Sequence, residues 1–404
     1  MTGSWTGAAG PGCGVAGCGA VVAAALNPTH SLDSVAGALQ GVLDRLDPPL
    51  PRLVTRGARV LVKVNMGCKG VRDPAERYTS HPTFVEAIVR ALLDCGATVS
   101  FGDDVSRTAI YPLIWKTTGM LDVARRTGAT LVDFTAVGGT EVRGRLLYPR
   151  THLVTNAVRD ADLVVNAASC RSHAGVVLSG AVKNMFGVVL GARRFRLHAL
   201  LPNKRDFARA LVDICCVARP AMSFLDLTTV LEGHGVAPAI RPVGLLLGGT
   251  DPVAIDTVAL HAVGYGDLPL WTSIHGARAG LGCNHPEHIQ VRGVDGHGLR
   301  RVRLGPPDLI GLEFDESILA RLSRVLNNTL LRPRPVIAGE RCTGCGACAA
   351  RCPVEAIRPG GEGRFTINHR ACADCGCCAK VCEARAIDLR FVGLARVVRS
   401  VARR

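Results

Sequence analysis

The sequence predicts an α/β protein: a large domain built on a mainly parallel sheet, followed by a small α+β domain at the C-terminus. Three observations predict it. Short β-branched segments alternate with segments of helical period, Gly is plentiful at 46 residues while aromatics make up 4%, and nine of the 17 cysteines crowd into residues 342–382. Alternating strands and helices build parallel sheets with helices on both faces. A length of 404 residues calls for two or three domains. With 48% hydrophobic and 20% charged residues the chain can bury a substantial core, which excludes extended disorder.

Residues 1–54 read as an N-terminal extension with the first strand and helix elements. Within it Cys13 to Leu26 is short, glycine-interrupted and closed by Asn27-Pro28, with no Lys or Arg ahead of it. It fits neither a signal peptide nor the roughly 20 apolar residues of a spanning helix. Residues 55–331 form the large domain. Its first strand is Arg59 to Asn65, apolar and β-branched, ending in polar groups as buried parallel strands do at a ligand crevice. From His81-Pro82, the residues Phe84, Val85, Ile88, Ala91 and Leu92 recur at helical spacing until Gly96. Ala97 to Phe101 is the next strand, with Gly102-Asp103-Asp104 at its carboxyl end. Further strands fall at 162–166 and 242–247, and a helix opens at Asp251-Pro252, where Asp251 is expected to cap. Arg332 to Pro335 reads as a linker, 336–390 as the small domain, and 391–404 as a basic amphipathic tail packed on the protein's own body.

In the small domain Cys342, Cys345, Cys348 and Cys352 follow C-x2-C-x2-C-x3-C, with Pro353 next, and Cys372, Cys375, Cys378 and Cys382 repeat the spacing. Such short spacing lets three thiolates from one loop grip three corners of an iron-sulfur cubane. A zinc ribbon would need two pairs of ligands instead. The runs resemble those of bacterial two-cluster ferredoxins, which implies a two-cluster ferredoxin-like domain holding two [4Fe-4S] clusters. By that resemblance one cluster takes Cys342, Cys345, Cys348 and Cys382, and the other takes Cys372, Cys375, Cys378 and Cys352. Glu383 replaces the second proline, and Cys377 is an additional thiol. Unpaired, metal-spaced cysteines point to a reducing, cytoplasmic setting. The remaining cysteines read as buried thiols, Cys170 being the possible exception.

The net charge of +15 is carried mostly by arginines spread along the chain, without a basic run interleaved with aromatics. Nucleic acid is therefore not expected as a partner, nor is a membrane. No P-loop, nucleophile elbow or complete G-x-G-x-x-G opens a strand, so ATP and nicotinamide are not supported.

The large domain carries Lys63-Val64-Asn65, Ser80-His81-Pro82, Gly102-Asp103, the block Ser179 to Gly187, and Gly249 to Asp256. On these motifs it resembles the DUF362 family, a domain of unknown function often fused to a ferredoxin module. Asp226-Leu227-Thr228 stands where the family has Asp-Gly, whereas Glu232-Gly233-His234-Gly235 fits, and Arg171-Ser172-His173 takes the place of Lys-x-His. Most of the polar residues sit at strand ends or helix starts, where an open sheet forms its crevice. Lys63, His81, His173 and Lys183 are the catalytic candidates. Asn65, Asp103, Arg171, Asn184 and Glu232 are the substrate-binding candidates, with Asn166 and Asp256 beside them. The expected function is iron-sulfur electron transfer, with a redox partner such as a ferredoxin or reductase and a small anionic substrate reduced in the crevice. The alternative is a noncatalytic electron carrier or maturation partner whose large domain binds a protein or cofactor.

Overall fold

The computed structural model describes residues 19–67, 79–105, 111–145, 151–173, 175–191, 194, 197, 201, 203–232, 239–299, 302–305, 333–350, 352, 356–372, 377–380 and 382–391. It divides into two units. The larger comprises Met1–Leu190 with Ala208–Ile310, and the smaller comprises Gly191–Phe207 with Gly311–Arg404.

The larger unit is built on β1 (Ala20–Leu26), β2 (Arg59–Lys63), β3 (Thr98–Asp103), β4 (Thr130–Asp133), the hairpin of β5 (Gly139–Arg143) and β6 (Thr151–Thr155), β7 (Leu163–His173), β8 (Val177–Ser179), β9 (Met222–Glu232), β10 (Ala239–Gly249) and β11 (Ile289–Arg292). Nine of these form one sheet in the order β11-β1-β10-β9-β7-β2-β3-β4, with β8 paired to β7. The run β9-β7-β2-β3-β4 is parallel throughout, while β10 is antiparallel to both β9 and β1. The architecture is thus α/β with a mainly parallel, mixed sheet, as the sequence predicts.

Both faces of the sheet are covered, which explains why the strands read as continuous apolar runs. On β2, Val60 and Val62 join the core under the helices Leu32–Leu43 and Pro82–Asp94, while Leu61 packs on Phe134 and Leu190. On the other half of the sheet Leu245 and Leu247 meet Ile255 and Val258 of the helix Pro252–Ala262. Each such fully buried side chain contributes roughly 1.5–3 kcal/mol. The helix Pro82–Asp94 starts where the sequence places it, with Pro82 in the first turn and the His81 ring accepting the Thr83 N–H at 3.3 Å. Asp251 caps the later helix, accepting from Val253 and Ala254, both at 2.9 Å. Among the described residues no helix is long and apolar enough to cross a membrane.

In the smaller unit β12 (Pro333–Ile337) pairs antiparallel with β15 (Ile387–Phe391), and β13 (Ile357–Pro359) with β14 (Phe365–Ile367). Residues 333–335 of the expected linker are therefore strand. In a two-stranded ribbon each strand is an edge, where prolines that cannot donate to a ladder are tolerated. Phe391 likewise belongs to β15, and the rest of the expected amphipathic tail lies outside the described residues.

Candidate functional site

Parallel strands that end together bring their last residues to one rim. Lys63 closes β2 and registers with Gly102 of β3 and Asn166 of β7. Its ammonium lies 2.8 Å from Asp103 Oδ1, with the two side chains 1% and 3% exposed, and also donates to the Val64 carbonyl at 2.5 Å. The other Asp103 oxygen accepts the Met66 N–H at 2.7 Å, tying β3 to the segment that leaves β2. Gly187 packs directly on this pair: a Cβ there would collide with both the carboxylate and the ammonium, so a methyl group is excluded by contact.

Amides extend the cluster. Asn184 donates through Nδ2 to Asn166 Oδ1 at 2.7 Å and to the Lys63 carbonyl at 3.2 Å, and Asn166 donates in turn to the Ala181 carbonyl and Ser223 Oγ. Asn65 receives a place through Ser80: its N–H donates to Ser80 Oγ at 2.9 Å, and that hydroxyl donates to the Ala167 carbonyl at 2.8 Å. Asn65 Nδ2 lies 3.5 Å from Ser169 Oγ. Lys183 shares the turn Ala181–Asn184 with Asn184 and is partly buried. Lys63, Asn65, Asp103, Asn166, Lys183 and Asn184 are therefore brought to one rim.

Asp256 holds that turn from below. Its two oxygens accept the N–H groups of Ala181 at 2.5 Å and Val182 at 3.0 Å, and a side chain on Gly180 would strike it. Burial pushes its carboxyl up to about 7, against the opposing pull of the Val182 and Ala181 amides. This value exceeds the ordinary ~3.9 of an unfolded chain. The folded protein thus keeps a proton that the unfolded chain releases, so the stability from this group is full below about pH 4 and is lost as pH rises to about 7. Thermal midpoints of Asp256→Asn should fall less steeply across that window than those of the parent. Parallel curves would contradict the assignment.

The remaining candidates lie farther along. Arg171 and His173 end β7 opposite β8, with His173 Nδ1 accepting the Gly175 N–H at 2.9 Å. Val177, the register partner of His173, has φ of 65°, an unusual conformation for a β-branched residue. Glu232 is already committed: it accepts from Arg241 Nε at 2.5 Å and from the Gly305 N–H, and Arg241 holds its carboxyl below the usual range. Leu231 beside it registers with Arg171, so these residues lie beyond Asn166 along the strands, and since successive side chains alternate faces Glu232 does not share the face of Arg171. His234 of the glycine-flanked motif lies outside the described residues. Cys170 is buried, and burial drives its thiol well above the ordinary range, with Asp256 and Asp226 adding to the effect. Cys170 packs in the core beside Ala168 and Leu225.

His81 belongs to a cluster that sequence reasoning missed. Its ring stacks on His30, which is bonded to Asp226. Asp226 registers with Ser169, the residue that meets Asn65. A cavity of about 350 Å³ lies elsewhere, at the amino end of β7 among Leu163, Val164, Val217 and Arg219. None of the predicted site residues lines it.

In the smaller unit the described cysteines fit a thiolate-held cluster. Cys348, Cys352 and Cys378 share one small core with Ile357 and Ile387, and Cys372 and Cys382 pack against it. The halves repeat: Ala356 N–H donates to Cys352 Sγ and Ala386 N–H to Cys382 Sγ, both at 3.2 Å. Amide donors of this kind stabilise thiolates. The Gly344 and Phe365 amides similarly hold the Cys342 thiol below its ordinary range. Among the described residues no three His, Cys, Asp or Glu side chains converge where a single ion could sit. Cys345 is exposed, and Cys375 lies outside the described residues.

Comparison with known proteins agrees. A family profile described as a domain of unknown function, DUF362, matches residues 60–261, half of the chain. A second, described as a 4Fe-4S dicluster domain, matches residues 333–386. The thylakoid-associated protein sll1697 of Synechocystis sp. is 29% identical over 228 residues, covering 55% of this chain and 69% of that protein. The lactate racemase apoprotein from Thermoanaerobacterium thermosaccharolyticum aligns with a TM-score of 0.37 and 14% identity, over 53% of this chain and 51% of that one. This chain thus spans about half of that protein, and a likeness at that score carries no argument. The dicluster domain gives the chain an iron-sulfur electron-transfer role.

Proposed function

This chain belongs to the DUF362 family and carries a 4Fe-4S dicluster domain, and from that premise we propose that it is a reductase of a small anionic substrate bound at the carboxyl ends of β2, β3 and β7. Two [4Fe-4S] clusters, loaded by an external ferredoxin or reductase, supply single electrons when bound. Cys342, Cys345, Cys348 and Cys382 would hold one, and Cys372, Cys375, Cys378 and Cys352 the other. The observation that carries the reading is the rim itself, where Lys63, Asn65, Asn166 and Asn184 converge with Lys183 in the same turn. Lysine and amides at strand ends suit a carboxylate or oxyanion, with Arg171 as a further cation and His81 or His173 as proton donors. The setting is a reducing, cytoplasmic one.

The test uses the cluster-loaded chain, reduced anaerobically and mixed with a panel of small carboxylates and sulfur or phosphorus oxyanions. At least one should restore the visible absorbance of the oxidised clusters. Arg171→Gln and Lys183→Gln should each slow that step by about ten- to a hundredfold, the worth of a charge-assisted hydrogen bond, with iron content unchanged. A second reading has an observation of its own: Asp103 already neutralises Lys63. In that reading the chain is a carrier or maturation partner, and oxidation by a second protein but by no small anion would overturn the reductase.

A further inference from the structure

Three side chains from separate parts of the larger unit meet beside Asn65. His30, in the turn that follows β1, places Nε2 2.7 Å from Asp226 Oδ2, and the two side chains are only 6% and 4% exposed. The second Asp226 oxygen is fixed by the Thr228 N–H at 2.8 Å and the Thr228 hydroxyl at 2.6 Å. The His81 ring centre lies 4.2 Å from that of His30, with the planes tilted by 30°. Thr83 links the two segments, its hydroxyl lying 2.6 Å from His81 Nδ1 and donating to the His30 carbonyl at 2.9 Å.

The charges dictate how this group titrates. Asp226 and His81 both face His30 among the described residues. A carboxylate in hydrogen-bond contact favours the imidazolium form of His30, whereas two stacked imidazolium rings repel at this separation. The carboxylate therefore favours one proton on the pair, and the adjacent rings oppose a second. Its position matters equally. Asp226 registers with Ser169, Ser169 meets Asn65, and Ser80 next to His81 anchors the Asn65 backbone.

We propose that His30 and His81 hold a single shared proton at this rim, with His30 the acid–base group of the site and Asp226 its positioning residue. The inference deepens the reading of the rim as a substrate site and rests on it for the proton's destination. On reduction of a bound anion, for which the clusters would supply the electron, His30 passes it one proton, the N–H bond breaking as the new bond to the substrate forms. Each such transfer balances the charge of one electron, and the pair recovers its proton from solvent.

The test needs no substrate. In the full cluster-loaded chain with carbon-13-labelled histidine, the ring titrations are followed by NMR and assigned with His30→Gln and His81→Phe. His30→Gln should raise the midpoint of His81 by about one pH unit or more, because the neighbouring cation is gone. His81→Phe keeps a stacked ring without a charge and should raise the midpoint of His30 by a similar amount, since coupling is reciprocal. Asp226→Asn should lower the His30 midpoint. Midpoints that do not move in these variants would overturn the shared proton. Coupled titration without oxidation of the reduced clusters by any anion removes the substrate reading alone; independent titration with oxidation intact removes the proton pair alone.

Discussion

Cys345→Ser, Cys382→Ser and the double variant are expected to lose the same iron: about four of about eight atoms each. The expectation follows from the exchange of fourth ligands between the two runs. If Cys382 completes the cluster gripped by Cys342, Cys345 and Cys348, then removing either end of that set removes one cluster, and removing both removes no more. Were each run to hold its own cluster, the two single variants would strike different clusters and the double variant would lose both. The packing favours exchange, because cysteines of both runs share one core with Ile357 and Ile387. Cys377→Ser serves as the control beside a ligand and should retain all the iron. Iron and sulfide analysis of the four variants decides the matter.

Lys63→Met is expected to destabilise the larger unit by about 3–5 kcal/mol, the usual result of stranding one member of a buried ion pair. The pair is almost wholly closed to solvent, and among the described residues the Met66 N–H is the donor Asp103 would keep. Adding Asp103→Leu should recover most of the loss, since an apolar pair needs no desolvation of charge, but not all of it, because the Met66 amide then loses its acceptor. The described tryptophans, Trp115 and Trp271, lie in the larger unit, so denaturant unfolding followed by tryptophan fluorescence reports on it. A cost below about 1 kcal/mol for Lys63→Met would mean that the pair behaves as a solvated one.

Much of this was legible in the sequence wherever a local signal coincided with tertiary need. The β2, Pro82–Asp94 and β3 unit declares itself through β-branched runs, a proline in the first helical turn and a glycine stop, and all three are observed. Lys63, Asp103 and Asn166 were legible as strand-end residues because a parallel sheet delivers its polar ends to one rim. The long strand β9 was not read, since Asp226 and Thr228 interrupt its apolar run and their hydrogen bonds are visible only in three dimensions. The pairing of His30 with Asp226 spans 196 residues, and no spacing rule reaches that far. The prolines of residues 332–335 pointed to a linker because proline weakens a ladder in general, and an edge strand is the exception. Glu232 fitted a binding pattern, yet Arg241, nine residues on across the β9–β10 pairing, takes up its charge.

The central claim is that two cubane clusters sit on these cysteines. It is tested most directly by loading the full chain anaerobically, counting iron and sulfide, and recording the electron paramagnetic resonance of the reduced protein. About eight iron and eight sulfide per chain, with the broadened spectrum of two interacting reduced clusters, is the predicted result. Stoichiometric zinc without sulfide, or cysteines joined to one another as disulfides, would contradict it.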